Sequence, residues 1–176
     1  MGEIADSLAG LTISVVSPDN QLAATVRRRR EVTVHFRPGS YERYDARTLE
    51  TQLSQLFTLV MSGYRQGYMS VMEAHDMTVM ADASDVDTEA GRIVRRRRDE
   101  TVALGESAQG MVRAKTRGLS EWRFKIADGA LSRLSEEQFT AEIHGAFMNV
   151  MADWSRRVRR IHWEVFSPDR VPAAGR

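Results

Sequence analysis

The 176-residue sequence has no cysteine, only 4 proline residues, only two lysines, and no long apolar run. Without cysteine there is no disulfide framework, thiolate zinc site, iron–sulfur cluster or thiol nucleophile. The strongest apolar stretch, Leu11–Val16, falls far below the ~20 residues that span a bilayer. The N-terminus carries Glu3 and Asp6 where a secretory signal would carry Lys or Arg, and Asp6 stands where a myristoylation signal has Ser or Thr. These features predict a cytoplasmic chain with no membrane attachment. Charge of one sign is scarce as well, since the net value of +1 supplies no global field for a polyanion. With 42% apolar and 28% charged residues, the chain falls in the folded globular class, not among disordered or coiled-coil sequences.

What the chain does have is bunched arginine. Of its 25 basic residues, all but Lys115 and Lys125 are Arg. They gather as Arg27, Arg28, Arg29 and Arg30, as Arg95, Arg96, Arg97 and Arg98, and as Arg156, Arg157, Arg159 and Arg160. Acidic residues collect between, at Glu73, Asp76, Asp82, Asp85, Asp87 and Glu89.

The sequence also repeats. Residues 17–72 lie without gaps over residues 107–162, a shift of 90, with identities that include Ser17/Ser107, Gly39/Gly129 and Phe57/Phe147. Val32, Val34 and Phe36 lie over Trp122, Phe124 and Ile126, the alternation a half-buried strand requires. Leu49, Leu53, Phe57 and Val60 lie over Phe139, Ile143, Phe147 and Val150, the stripe of an amphipathic helix.

Each copy therefore reads as three strands and a long helix. The strands are Leu11–Val16, Leu22–Arg28 and Glu31–Phe36, then Thr101–Glu106, Val112–Arg117 and Glu121–Ile126. Ser17-Pro18-Asp19-Asn20 and Ser107-Ala108-Gln109-Gly110 supply turns, and Gly39 and Gly129 close each sheet. Asp45 and Ser135 are suited to cap helices over 46–75 and 136–164, with Gln138 completing a capping box. The fold class is α+β: two tandem β-β-β-α units related by a pseudo-twofold, their strands joined in one extended sheet with the helices on one face. The units span 1–75 and 101–166. They are joined by an acidic, then Arg-rich connector over 76–100, read either as a flexible loop leading into a short helix or as a helix throughout, with Gly91 favouring an interruption, and followed by a fraying tail over 167–176.

Arg37-Pro38-Gly39, followed by Leu49-Glu50, Leu53 and Phe57 on a long helix, resembles the YbaB/EbfC family of small nucleoid-associated proteins. The likeness covers 17–72 and, more loosely, 107–162, where Asp128 replaces the proline and Phe139-Thr140 replaces Leu-Glu. It implies a non-enzymatic protein that binds duplex DNA with little sequence preference, or, as in actinobacterial relatives attached to type VII secretion, a scaffold or accessory that binds a protein. The chain departs from the family in being a fused pseudo-dimer and in lacking the long charged helix that precedes the first strand and contributes to DNA contact.

No Walker loop, G-x-G-x-x-G, H-E-x-x-H or nucleophile elbow is present. His35, His75, His144 and His162 never fall at i, i+4, and Asp82, Asp85, Asp87 and Glu89 lack the spacing of a calcium loop. No catalytic residue, metal site or cofactor is expected. The three arginine runs are the candidate phosphate contacts, because guanidinium groups grip phosphate bidentately and release its counterions. The candidate surface for a protein partner is Met69, Met72, Met77 and Met80, since Met adapts to irregular contacts. Self-association through helices or sheet edges is the remaining expectation.

Overall fold

Alternating side chains form the strands, and residues that tolerate left-handed backbone turn them. The computed structural model describes residues 2–27, 31–74 and 88–167. In chain order these form α1 (Gly2–Gly10), β1 (Thr12–Val16), β2 (Leu22–Arg27), β3 (Glu31–Phe36), a 3-10 turn (Tyr41–Arg43), α2 (Ala46–Ala74) and α3 (Glu89–Glu100). There follow β4 (Val102–Glu106), β5 (Val112–Arg117), β6 (Glu121–Ile126), α4 (Ala130–Arg133) and α5 (Glu136–Phe166). The chain is α+β, with two tandem β-β-β-α units and antiparallel strand orders β1-β2-β3 and β4-β5-β6.

The matched turns work alike in both units. Asn20 and Gly110 occupy equivalent positions at φ +58° and +69°, the left-handed region that Asn and Gly enter most cheaply. Ser17 and Ser107 then accept the Leu22 and Val112 amides at 2.9 and 3.0 Å. Between β5 and β6, Gly118 and Leu119 at φ +59° and +60° open a three-residue connection, 118–120, in which the Ser120 amide bonds back to the Arg117 carbonyl at 3.1 Å. Asp45 caps α2 by accepting the Thr48 amide at 2.9 Å, and Ser135 and Gln138 exchange the reciprocal bonds of a capping box at α5.

The two units share one core. Helix α2 packs on β1 and β2 of its own unit and on β6 of the other, while α5 packs on β4, β5 and, reciprocally, β3. Phe57 of α2 meets Phe124, Trp122 and Phe147 with ring centroids 4.6, 5.6 and 5.7 Å away. At the other end Phe139 lies against Tyr41 and Phe36, and the Tyr41 hydroxyl donates to the Leu134 carbonyl at 2.9 Å. Each fully buried phenylalanine contributes about 2–3 kcal/mol of transfer free energy, so neither unit retains its core without the other.

Three expectations change. First, the strands form two separate three-stranded sheets, not one extended sheet, because side chains seal the outer edge of β6. Thr58 Oγ1 accepts the Trp122 amide at 3.2 Å, Ser54 Oγ the Phe124 amide at 3.0 Å and Glu50 Oε1 the Ile126 amide at 2.9 Å. Residues at i, i+4 and i+8 share one helix face, so α2 satisfies in sequence the amides that a further strand would have taken. Second, the expected β-β-β-α order gains a short helix, the nine-residue α1, before β1. Third, Gly91 does not interrupt the connector: it lies buried in the first turn of α3, its amide held at 3.0 Å by the N-cap hydroxyl of Thr88. The distal half of α5, too long for one sheet to cover, packs on α3, with Val94, Val158 and Ile161 buried.

Candidate nucleic-acid interface

Strands β5 and β6 read VRAKTR and EWRFKI. With Val112, Ala114, Thr116, Trp122, Phe124 and Ile126 turned to the core, Arg113, Lys115, Arg117, Arg123 and Lys125 are all exposed on the opposite face. The β5–β6 register sets Arg113 opposite Lys125, Lys115 opposite Arg123 and Arg117 opposite an acid, Glu121, while across β4 Arg113 faces Glu106. Like charges directly across a sheet are destabilising, by a few tenths to about 1 kcal/mol each. At the margins Glu106 pairs with Arg113 and Glu50 with Lys125, both at 2.9 Å. At the centre Lys115 and Arg123 have no acidic partner among the described residues. These five basic residues are separated by core positions in sequence and so escape a search for runs; two successive strands basic at every second residue were the available signal.

Two of the three arginine runs join this unit. Arg95 and Arg96 on α3, with Arg92, line an open cleft of about 620 Å³ against Arg117 at the end of β5. Asp99, Glu100 and Glu121 line the same cleft, so its charge is mixed. Arg97 reaches Glu164 of α5 at 2.6 Å, and Arg160 reaches the same carboxylate at 3.2 Å. That bond from Arg97 and the charges of both arginines hold the Glu164 carboxyl below its ordinary range. Arg98 lies 3.8 Å from Asp99. Arg156 and Arg157 both pair with Asp153, at 3.2 and 2.8 Å, and Arg159 is exposed. Partial burial pushes the Asp153 carboxyl up, but the Leu104 amide and the two arginines more than offset this and lower it overall.

The first sheet presents a different face. Arg27 is exposed at the end of β2, and Arg28, Arg29 and Arg30 lie outside the described residues. Where the second sheet carries Arg113, Lys115, Arg123 and Lys125, the first carries Ala23, Thr25, Thr33 and His35. The repeat keeps its core and changes its exposed face.

Of the methionines, Met69 is exposed on α2, Met72 is buried at 5% exposure, and Met77 and Met80 lie outside the described residues. His35 is exposed, His144 Nδ1 lies 3.2 Å from the Val32 carbonyl, and His162 stacks obliquely on Phe166. His75, Asp82, Asp85 and Asp87 lie outside the described residues, which bring together no cluster of three side chains able to hold a metal. No described helix is long and apolar enough to cross a membrane. Comparison with known protein families, curated proteins and solved structures finds no match to the chain.

Proposed function

We propose that the chain is a non-enzymatic, sequence-nonspecific binder of duplex DNA that contacts phosphates through the outer face of β4–β6 and the flanking arginines of α3 and α5. The observation that carries this reading is the opposition of Lys115 and Arg123 on an exposed sheet, a like-charge pair that no described acid neutralises. Such pairs cost stability in the free protein and become favourable against a polyanion. The face offers no Asn or Gln to read base edges and no aromatic ring to stack unpaired bases, which favours the phosphates of a duplex. The resemblance to YbaB/EbfC proteins points the same way, and in this reading the two units are a fused dimer about a pseudo-twofold.

The test is electrophoretic mobility with several unrelated duplexes at two salt concentrations. The reading expects a shift at low salt that does not depend on sequence and weakens steeply with salt, with a log–log slope of about −0.9 per phosphate contacted. Changing Arg27–Arg30 to Ser asks whether the first unit's hairpin joins the site. An absent shift at low salt ends the DNA reading and leaves the second one, a protein partner. That alternative is favoured by Trp163 and Phe166, 50% and 45% exposed near the end of α5, and by exposed Met69; it would be tested by loss of partner binding on Trp163→Ala.

A further inference from the structure

The two sheets differ at their edges as well as on their faces. In the second unit both edges are sealed by helix side chains. Beyond the three acceptors along β6, the Asn149 side chain donates to the Glu106 carbonyl at 2.7 Å, and Asp153 accepts the Leu104 amide at 3.1 Å along β4. Ninety residues earlier, the positions of Asn149 and Asp153 are held by Leu59 and Gly63, which bear no polar side chain. Leu59 is 46% exposed, and Gly63 lets Ile13 of β1 approach α2 closely.

Strand β1 is accordingly unsealed. The Ser17 amide bonds to the Leu22 carbonyl, so by alternation the N–H and C=O groups of Thr12, Ser14 and Val16 point away from β2. No described side chain bonds to the Ser14 or Val16 backbone in the way Asp153 and Asn149 bond to Leu104 and Glu106. Val16 is 51% exposed, and the core-facing Ile13 and Val15 are half-buried where their neighbours Val26 and Ala24 are fully buried. The strand, Thr-Ile-Ser-Val-Val, is uncharged, free of proline and largely β-branched, which is the composition most prone to pair with another edge.

We propose that the β1 edge is a homodimer interface, on which β1 of a second copy of this chain pairs antiparallel about a twofold through Ser14. Charge selects the occupant. A twofold seam sets equivalent surfaces of one chain against each other, so charge of one sign beside it repels. Of the outer-face residues next to this seam, Thr12, Ser14, Val16, Ala23 and Thr25 are neutral and the one charge, Arg27 opposite Thr12, lies at the end of its row, where the twofold sets it against the opposite end of the second copy; Ser14 and Thr25 share a hydroxyl bond of 2.8 Å. The corresponding rows of the second sheet hold Arg113 and Lys115, and its edge is sealed. The outward backbone groups also fit the symmetry, since Ser14 would face Ser14 of the second copy while Thr12 faces Val16 of the second copy. The product is a six-stranded sheet with β3 strands outermost, and the exposed Leu59 lies beside the new seam. This inference does not depend on DNA binding, and its test contains no nucleic acid.

Sedimentation equilibrium over about a hundredfold range of concentration is expected to approach twice the 19.9 kDa of one chain. Hydrogen exchange is expected to show the Ser14 and Val16 amides gaining protection as concentration rises. Val16→Lys and Ser14→Pro are expected to return the mass to one chain with the circular dichroism of wild type, because neither change removes a backbone hydrogen bond between β1 and β2. If Ser14→Pro does not fold, Val16→Lys and wild-type exchange carry the test. A single-chain mass throughout overturns the proposal. So does concentration-independent protection at Ser14 and Val16, which would give the edge to a segment of the same chain, and so does a dimer unaffected by Val16→Lys.

Discussion

Phe57 and Phe147 stand ninety residues apart at equivalent positions of the repeat, and their rings meet at 5.7 Å in the centre of the shared core. This contact between equivalent residues ties the two units energetically. Phe57→Ala or Phe147→Ala is expected to cost about 3–5 kcal/mol in urea unfolding, which would remain one cooperative transition. The double variant is expected to cost clearly less than the two single costs combined, because the rings share one cavity.

The seal along β6 predicts a local effect. Ser54→Ala strips the acceptor from the Phe124 amide and is expected to cost about 1–3 kcal/mol, the penalty of an unsatisfied buried donor. Amide exchange at Phe124 should quicken by more than at Trp122 or Ile126, whose acceptors on Thr58 and Glu50 remain. Glu50→Gln keeps an acceptor for Ile126 and is expected to cost less than Glu50→Ala.

Asp153 predicts a pH dependence. Its carboxyl is lower in the folded protein than its ordinary value of 3.8, so the stability it confers is present above that value and is lost as pH falls through the folded one. The urea midpoint should therefore drop on acidification from about pH 5 to about pH 3. Asp153→Asn should reduce that drop, and titration of Asp153 by NMR should place it below the free carboxylate.

Close packing predicts a steric effect at Gly105. A Cβ there would meet the Ala146 carbonyl and the Val150 amide of α5, backbone atoms that cannot swing aside. Gly105→Ala is expected to destabilise by about 1–3 kcal/mol despite the better strand former it introduces. At Gly145, where a Cβ meets Ser107 at ordinary contact distance, the change to Ala should be tolerated.

Strands, caps and the repeat were legible because they are local: alternation marks Val32–Phe36 and Trp122–Ile126, and Ser135 needs only Gln138 to complete its box. The edges were not. Glu50, Ser54 and Thr58 look like an ordinary solvated helix face until β6, some seventy residues away, is laid against them. The arginine runs were conspicuous in the sequence, but their pairing was not, since Arg97 and Arg160 are drawn onto Glu164 across two helices. The alternating Arg113, Lys115 and Arg117 became a surface only once β6 set Arg123 and Lys125 beside them.

The central claim is that Lys115 and Arg123 face phosphate. The most direct measurement is the salt dependence of duplex binding by wild type and by the Lys115→Ser/Arg123→Ser variant, across unrelated sequences. The account predicts that the variant folds at least as well as wild type, binds every duplex more weakly by a similar factor, and loses up to about two units of log–log slope. Binding with an unchanged slope in the variant, or no binding by wild type at low salt, would contradict it.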